Sequence, residues 1–179
     1  MPSSIYDIDP AHTDAHFSVR HMMISNVKGE FKKISGTVTF NPDNPSESQV
    51  EATIDAASLH TRDEQRDAHL KSADFFDVAK FPEIRFVSRS VESEGAGELL
   101  VKGDLTLHGV SQGVTLRVEG PTAEMKDPWG NMRAGAVATT KINREDFGLV
   151  WNVALETGGV LVGKEISITL EVELIRRAA

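Results

Sequence analysis

This 179-residue sequence predicts an all-β protein, a sandwich or a closed antiparallel barrel, with a short helical insertion near residues 62–78. Three observations carry that prediction. Apolar residues recur at a period of two along several stretches, the signature of half-buried strands. Turn-forming clusters separate those stretches: NPDNPSES from Asn41, SEGAGE from Ser93, HGVSQG from His108 and DPWGN from Asp127. Finally, a single segment breaks the alternation and carries helix-start chemistry.

The elements follow in chain order. A strand over Ala15–His21 places His16 and Arg20 on one face and Phe17, Val19 and His21 on the other. Alternation continues in Val38–Phe40 and in Val50–Ala52–Ile54. Thr61, with Glu64 three residues on, has capping-box form and predicts a helix running to about Leu70. A second short turn from Ser72 or Asp74 is ended by Pro82, and the next strand begins at Glu83 or Ile84. Leu105–Leu107, Val114–Leu116–Val118 and Ala134–Ile142 are further strands, the last with small residues on one face. The clearest strand has Ile166, Ile168, Leu170, Val172 and Leu174 alternating with Ser167, Thr169, Glu171 and Glu173. Many strands with short turns favour a sandwich or barrel, and closing the sheet would remove its exposed edges.

The length fits one domain over 1–179, large enough to bury a core or enclose a cavity. Nineteen basic against twenty-seven acidic residues give a net charge of −8, which argues against a nucleic-acid partner. The absence of cysteine removes disulfides, thiolate nucleophiles and cysteine zinc sites. The start MPSSIYDIDP has no basic segment followed by an apolar one, and no apolar run reaches the roughly 20 residues of a membrane span. The expectation is a soluble, cytoplasmic protein.

Catalytic signatures are missing. There is no HExxH, GxSxG or GxGxxG pattern, and His16 and His21 point to opposite sides of their strand. No metal and no cofactor are expected. Asp63, Asp67, Asp74 and Asp77 are close in sequence, but acids on a surface helix ordinarily cap it or pair with bases. Arg62, Arg66 and His69 fall on one helical face. They either form a cationic rim for a polar head group or pair with Asp67, Asp74 or strand-end carbonyls and fix the helix to the sheet. Four of the eight phenylalanines, Phe75, Phe76, Phe81 and Phe86, lie in and just after this insertion. They either plug a barrel end or line the mouth of a cavity, and inward alanines such as Ala52, Ala136 and Ala138 would leave space unfilled.

Four segments taken together are more specific. YDIDPAHTDAHFSVRHMMISNVKGEF, RDAHLKSADFFDVAKFPEIRFVS, GDLTLHGVSQGVTL and INREDFGLVWN resemble, in order and spacing, the YceI-like family from about Ile5 to Arg176. Phe17, His21, Arg66, Asp67, His69, Phe75, Phe76 and Trp151 match its pattern, while Gly113 departs from it where relatives usually have proline, a change expected to affect a turn. The resemblance implies an extended antiparallel lipocalin-like β-barrel of about eight strands. It also implies a non-enzymatic protein that binds a long-chain amphiphile: a polyisoprenoid, quinone or fatty amide. Under that reading the expected cavity wall is Phe17, Val19, Phe31, Val38, Phe40, Ile54, Phe86, Leu105, Ile142 and Trp151. His21, Arg66, His69, Phe75 and Phe76 are the expected contacts at its mouth. The other readings are a barrel filled by its own side chains, with a structural or stress-related role, and a lipid-modifying enzyme using His69 or His21 with Asp67. A homodimer through exposed strands is compatible with the pattern.

Overall fold

The computed structural model describes residues 3–155 and 159–178. Twelve strands form one antiparallel sheet: β1 (Ser4–Ile8), β2 (Asp14–His21), β3 (Ser25–Phe31), β4 (Ile34–Phe40), β5 (Gln49–Asp55), β6 (Leu59–His60), β7 (Glu83–Gly95), β8 (Glu98–Leu107), β9 (Val110–Glu119), β10 (Met125–Lys126), β11 (Met132–Asn143) and β12 (Val162–Arg176). Eight of them close a barrel in the order β11-β9-β8-β7-β5-β4-β1-β12, with β12 returning to β11.

The remaining strands mostly extend barrel strands that are interrupted part-way. β12 pairs with β1 at Leu174–Arg176 and passes to β2 from Glu171 down to Val162. The break between β1 and β2 falls at Pro10, which has no N–H for the ladder, and the Asp9 carboxylate receives the Ala11 N–H in a short 3₁₀ turn. β3 and β4 are separated only by Lys32 and Lys33, and β5 and β6 by the 3₁₀ turn Ala56–Ser58. These two breaks are bonded to each other, Lys33 N–H to the Ser58 hydroxyl at 3.1 Å and Asp55 N–H to the Lys33 carbonyl at 2.9 Å. The chain is therefore an eight-stranded meander with three kinked strands.

One rim carries the β2–β3 hairpin, the helix α1 (Glu64–Lys71), residues 72–82 and the segment after β11; we call it the lid rim. The opposite, terminal rim carries the beginning of β1, the end of β12 and loops 41–48 and 120–131. Three groups of buried side chains line the interior, around Phe31 and Phe147, around Phe86 and Val101, and around Tyr6 and Leu174.

The helix differs from its sequence expectation. It starts at Glu64, and Asp63 is the cap, receiving the Arg66 N–H at 3.0 Å. Thr61 is instead bonded to Asp67, which receives both its N–H and its hydroxyl. Arg62 has a left-handed φ of 68° before the helix, so it shares no helical face with Arg66 and His69. Residues 72–81 form hydrogen-bonded turns, and β7 opens at Glu83. Gly113 also corrects an expectation. It lies inside β9 opposite Asp104, and the turn is two residues long, at His108–Gly109, both with positive φ.

Candidate functional site

The barrel interior holds a cavity of about 240 Å³ that is lined almost entirely by apolar atoms. It extends from Ser48 and Pro121 at the terminal rim to Leu70, Phe75, Phe76 and Arg144 at the lid rim. The strand period sets its wall: all five alternating residues of β12, Ile166 to Leu174, line it. Ala52, Ala136 and Ala138 line it too, and their small side chains leave part of the volume open.

Eleven of the fifteen side chains expected from the sequence lie on this wall: Phe17, Val19, Phe31, Val38, Phe40, Ile54, Phe75, Phe76, Phe86, Leu105 and Ile142. Four do not. His21 ends β2 at the hairpin, one step beyond Val19, and pairs with Ser25. Arg66 is turned back on Thr61, with Nε to the hydroxyl at 2.8 Å and Nη2 to the carbonyl at 2.6 Å. His69 Nε2 lies 2.9 Å from the Asp74 carboxylate, and its ring meets Phe75 and Trp151 edge-on. Trp151 packs on His69 and on Phe75, at 5.3 Å between ring centres, so both rings stand behind a lining residue.

These contacts show what holds the insertion in place. α1 has no fully buried residue, and its apolar contact with the core is the partly buried Leu70. The Thr61–Arg66–Asp67 bonds attach its first turn to the strand end at β6. They also separate the two groups of the expected catalytic pair, because Asp67 faces Thr61 while His69 faces Asp74. Phe81 is not on the wall and packs on His108.

The sequence reading missed Arg144. Only 2% exposed, it borders the cavity at the lid rim. Its guanidinium donates to four carbonyls: Leu149 at 2.7 Å, Gly163 at 2.8 Å, Trp151 at 2.9 Å and Val162 at 3.3 Å. Among the described residues no carboxylate lies within ion-pair range of it. Burial lowers the basicity of this guanidinium, yet arginine remains a cation at neutral pH. In sequence, an arginine between Asn143 and Glu145 reads as a surface residue, and only its place in the INREDFGLVWN segment marked it.

On the outside near the terminal rim, Arg133 binds Asp9 at 2.7 Å, Asp127 at 2.7 Å and Glu173 at 3.1 Å. Arg133 holds the Asp127 carboxyl down at about 2. Burial opposes ionisation of Asp9, but bonds from His12 and Arg133 outweigh it and leave its carboxyl below the usual range. The bond to Asp9 pushes the His12 imidazole up. Burial, reinforced by a hydrogen bond to Glu124, pushes the Tyr6 phenol up to about 12. Two groups have donors close enough to share an ion: Asp9–His12–Glu173, where Arg133 already supplies the positive charge, and Asp14–His16–Glu30 on the outer face of β2 and β3.

A closed antiparallel barrel around an apolar cavity places the protein in the lipocalin-like class. The family is more specific: the YceI-like domain profile matches residues 6–174, and the chain belongs to that family. A UPF0312 protein of Staphylococcus aureus is 38% identical over 168 residues, covering 94% of this chain and 95% of its own length. The crystal structure of a Campylobacter jejuni YceI protein superposes with a TM-score of 0.74 at 32% identity, covering 89% of this chain and 90% of the other. A polyisoprenoid-binding domain from Saccharophagus degradans, implicated in plant cell wall breakdown, shares the fold with a TM-score of 0.66 at 15% identity, covering 96% of this chain and 98% of its own.

Proposed function

We propose that the barrel binds a long-chain amphiphile, of polyisoprenoid, quinone or fatty amide type, and carries or stores it without catalysing a reaction. The apolar cavity along the barrel axis is the observation that carries this reading. Its volume of about 240 Å³ exceeds the roughly 150 Å³ apolar void that holds a benzene-sized guest. At about 24 cal/mol per Å³, leaving such a space empty costs on the order of 6 kcal/mol, comparable with the whole stability of a domain. An alkyl or prenyl chain recovers that, at about 0.8 kcal/mol per buried methylene. The polyisoprenoid-binding description of the Saccharophagus domain agrees with the reading in ligand class. No catalytic residue is assigned.

Native mass spectrometry and solvent extraction of freshly purified protein test the proposal. The expected result is an adduct of a single lipid class, or uptake of a prenyl quinone by protein stripped of lipid. Ala138→Leu, which adds volume to the wall, should reduce uptake several-fold while circular dichroism stays unchanged. If no adduct forms, no analogue is taken up and the filled variant behaves like the parent, the proposal fails.

A further inference from the structure

The tip of the β2–β3 hairpin sets three apolar side chains in solvent. Met22 is 44% exposed, Met23 53% and Ile24 76%. The turn closes with the Ile24 N–H on the His21 carbonyl, and its two central residues are Met22 and Met23 with φ of 52° and 63°. Both positions call for Asn or Gly, and an unbranched apolar side chain there is strained. Nothing in the interior gains from it, because the methionines point outward.

The patch extends onto the segment after β11. The Met22 N–H donates to the Leu161 carbonyl, Leu161 N–H to the Val153 carbonyl, and Met23 lies against Gly159. Val153, 47% exposed, adds another apolar side chain.

Charge indicates what this patch meets. In a chain of net charge −8, residues 15–29 contain His16, Arg20, His21 and Lys28 and no Asp or Glu. Arg20 and Lys28 are exposed, and Arg20 reaches the tip itself, donating to the Met23 carbonyl at 3.0 Å. A second copy docked tip to tip would set these cations against each other. An apolar wedge with basic flanks instead matches an anionic lipid surface, where acyl chains take the wedge and head groups take the cations.

We infer that the β2–β3 hairpin tip, with Val153 beside it, docks the protein on an anionic lipid bilayer. The tip adjoins the cavity: Val19 and Val162, next to His21 and Leu161, are on its wall. Docking would therefore bring the lid rim to the phase in which an amphiphile dissolves. The inference rests on the surface alone and stands whatever fills the cavity.

Co-sedimentation with vesicles of phosphatidylcholine alone, or containing phosphatidylserine, tests it at low and high salt. The expected result is binding to the anionic vesicles that weakens with salt. Met22→Asn with Met23→Gly suits the turn better and should still lower partitioning at least tenfold. Arg20→Gln with Lys28→Gln should lower it about tenfold on anionic vesicles only. Absence of binding to either vesicle would overturn the inference, as would unchanged binding by the tip variant. So would a dimer in light scattering that the tip variant dissociates, since a second copy would then be the occupant. Uptake of a prenyl quinone added in detergent should be unchanged by the tip variant, which separates this result from failure of the lipid-binding reading.

Discussion

The two rims of the barrel handle positive charge in opposite ways. Near the terminal rim, Arg133 meets three carboxylates in a half-wet network on the outside. At the lid rim, Arg144 is buried among carbonyls, each a partial negative charge, beside an apolar cavity. Fully exposed ion pairs add little to stability, but the Arg133 network is part-buried, so it orients its loops and also contributes stability while Asp9 and Asp127 are ionised. A buried cation is different, because removing it strands every acceptor it had satisfied. The terminal rim is thus fixed by ion pairs, whereas at the lid rim a buried cation ties Leu149, Trp151, Val162 and Gly163 together and the Thr61–Arg66–Asp67 bonds hold α1.

The sharpest way to break this comparison is to delete both arginines. Arg144→Met should cost about 3 kcal/mol, because the buried Leu149 carbonyl and the part-buried Trp151 and Gly163 carbonyls lose this donor, while Val162 keeps the Asn152 amide at 2.7 Å. Arg133→Met at neutral pH should cost clearly less. Urea unfolding of the two variants decides it, and equal losses would remove the distinction between the rims.

Asp67→Ala comes next. It removes the acceptor of the Thr61 N–H and hydroxyl and leaves Arg66 without its ordered partner, for a loss of about 2 kcal/mol. Because α1 has no fully buried side chain and meets the core chiefly through Leu70, the damage should be local. Limited proteolysis should cut within residues 62–82 before the barrel unfolds, and no such early cut should appear in Arg133→Met.

The terminal rim should show its character in acid. Asp127 ionises near 2 and Asp9 below the usual carboxylate range, whereas both titrate near 3.9 in the unfolded chain. Between those values the unfolded state binds more protons, so the stability these groups contribute is present above about pH 4 and lost as pH falls toward 2. Arg133→Met should flatten that acid limb, measured as Tm against pH. Arg144→Met should shift the whole curve down with much less change of slope there, since among the described residues no carboxylate makes an ion pair with it and Glu145 acts on it only through its field.

The same contrast explains what the sequence made legible. Strand alternation exposes the wall directly: a period of two in β5, β9 and β12 sets one face inward once the sheet closes, and eleven expected residues are on the cavity. The three kinked strands were not legible, because Lys32–Lys33 and Ala56–Ser58 resemble continuing strand. The helix start was misread by two residues, since Thr61 and Asp63 both suit a cap and only the fold directs Thr61 to Asp67. Motif membership marked His21, Arg66, His69 and Trp151, but it carries no direction, and none of them lines the cavity. Arg144 lay within a marked segment, yet its burial depends on carbonyls that β12 brings back from twenty residues further along the chain.

The smallest effect should have the opposite sign. Left-handed conformations at non-glycine residues cost of order 1 kcal/mol each, and the β2–β3 turn holds two of them in methionine. Met22→Asn with Met23→Gly relaxes that strain, removes exposed apolar surface and leaves the Ile24-to-His21 hydrogen bond available. The folded protein should gain about 1 kcal/mol, a rise in Tm of a few degrees for a chain of this size. Neither arginine centre is touched, so the gain should add to the losses in Arg144→Met and Arg133→Met with no coupling. A gain in stability together with a loss of vesicle binding would mean that the lid rim keeps a strained turn for what it contacts. A loss of stability instead would mean that the methionines pack usefully against Gly159, and that the strain at this rim is already offset within the fold.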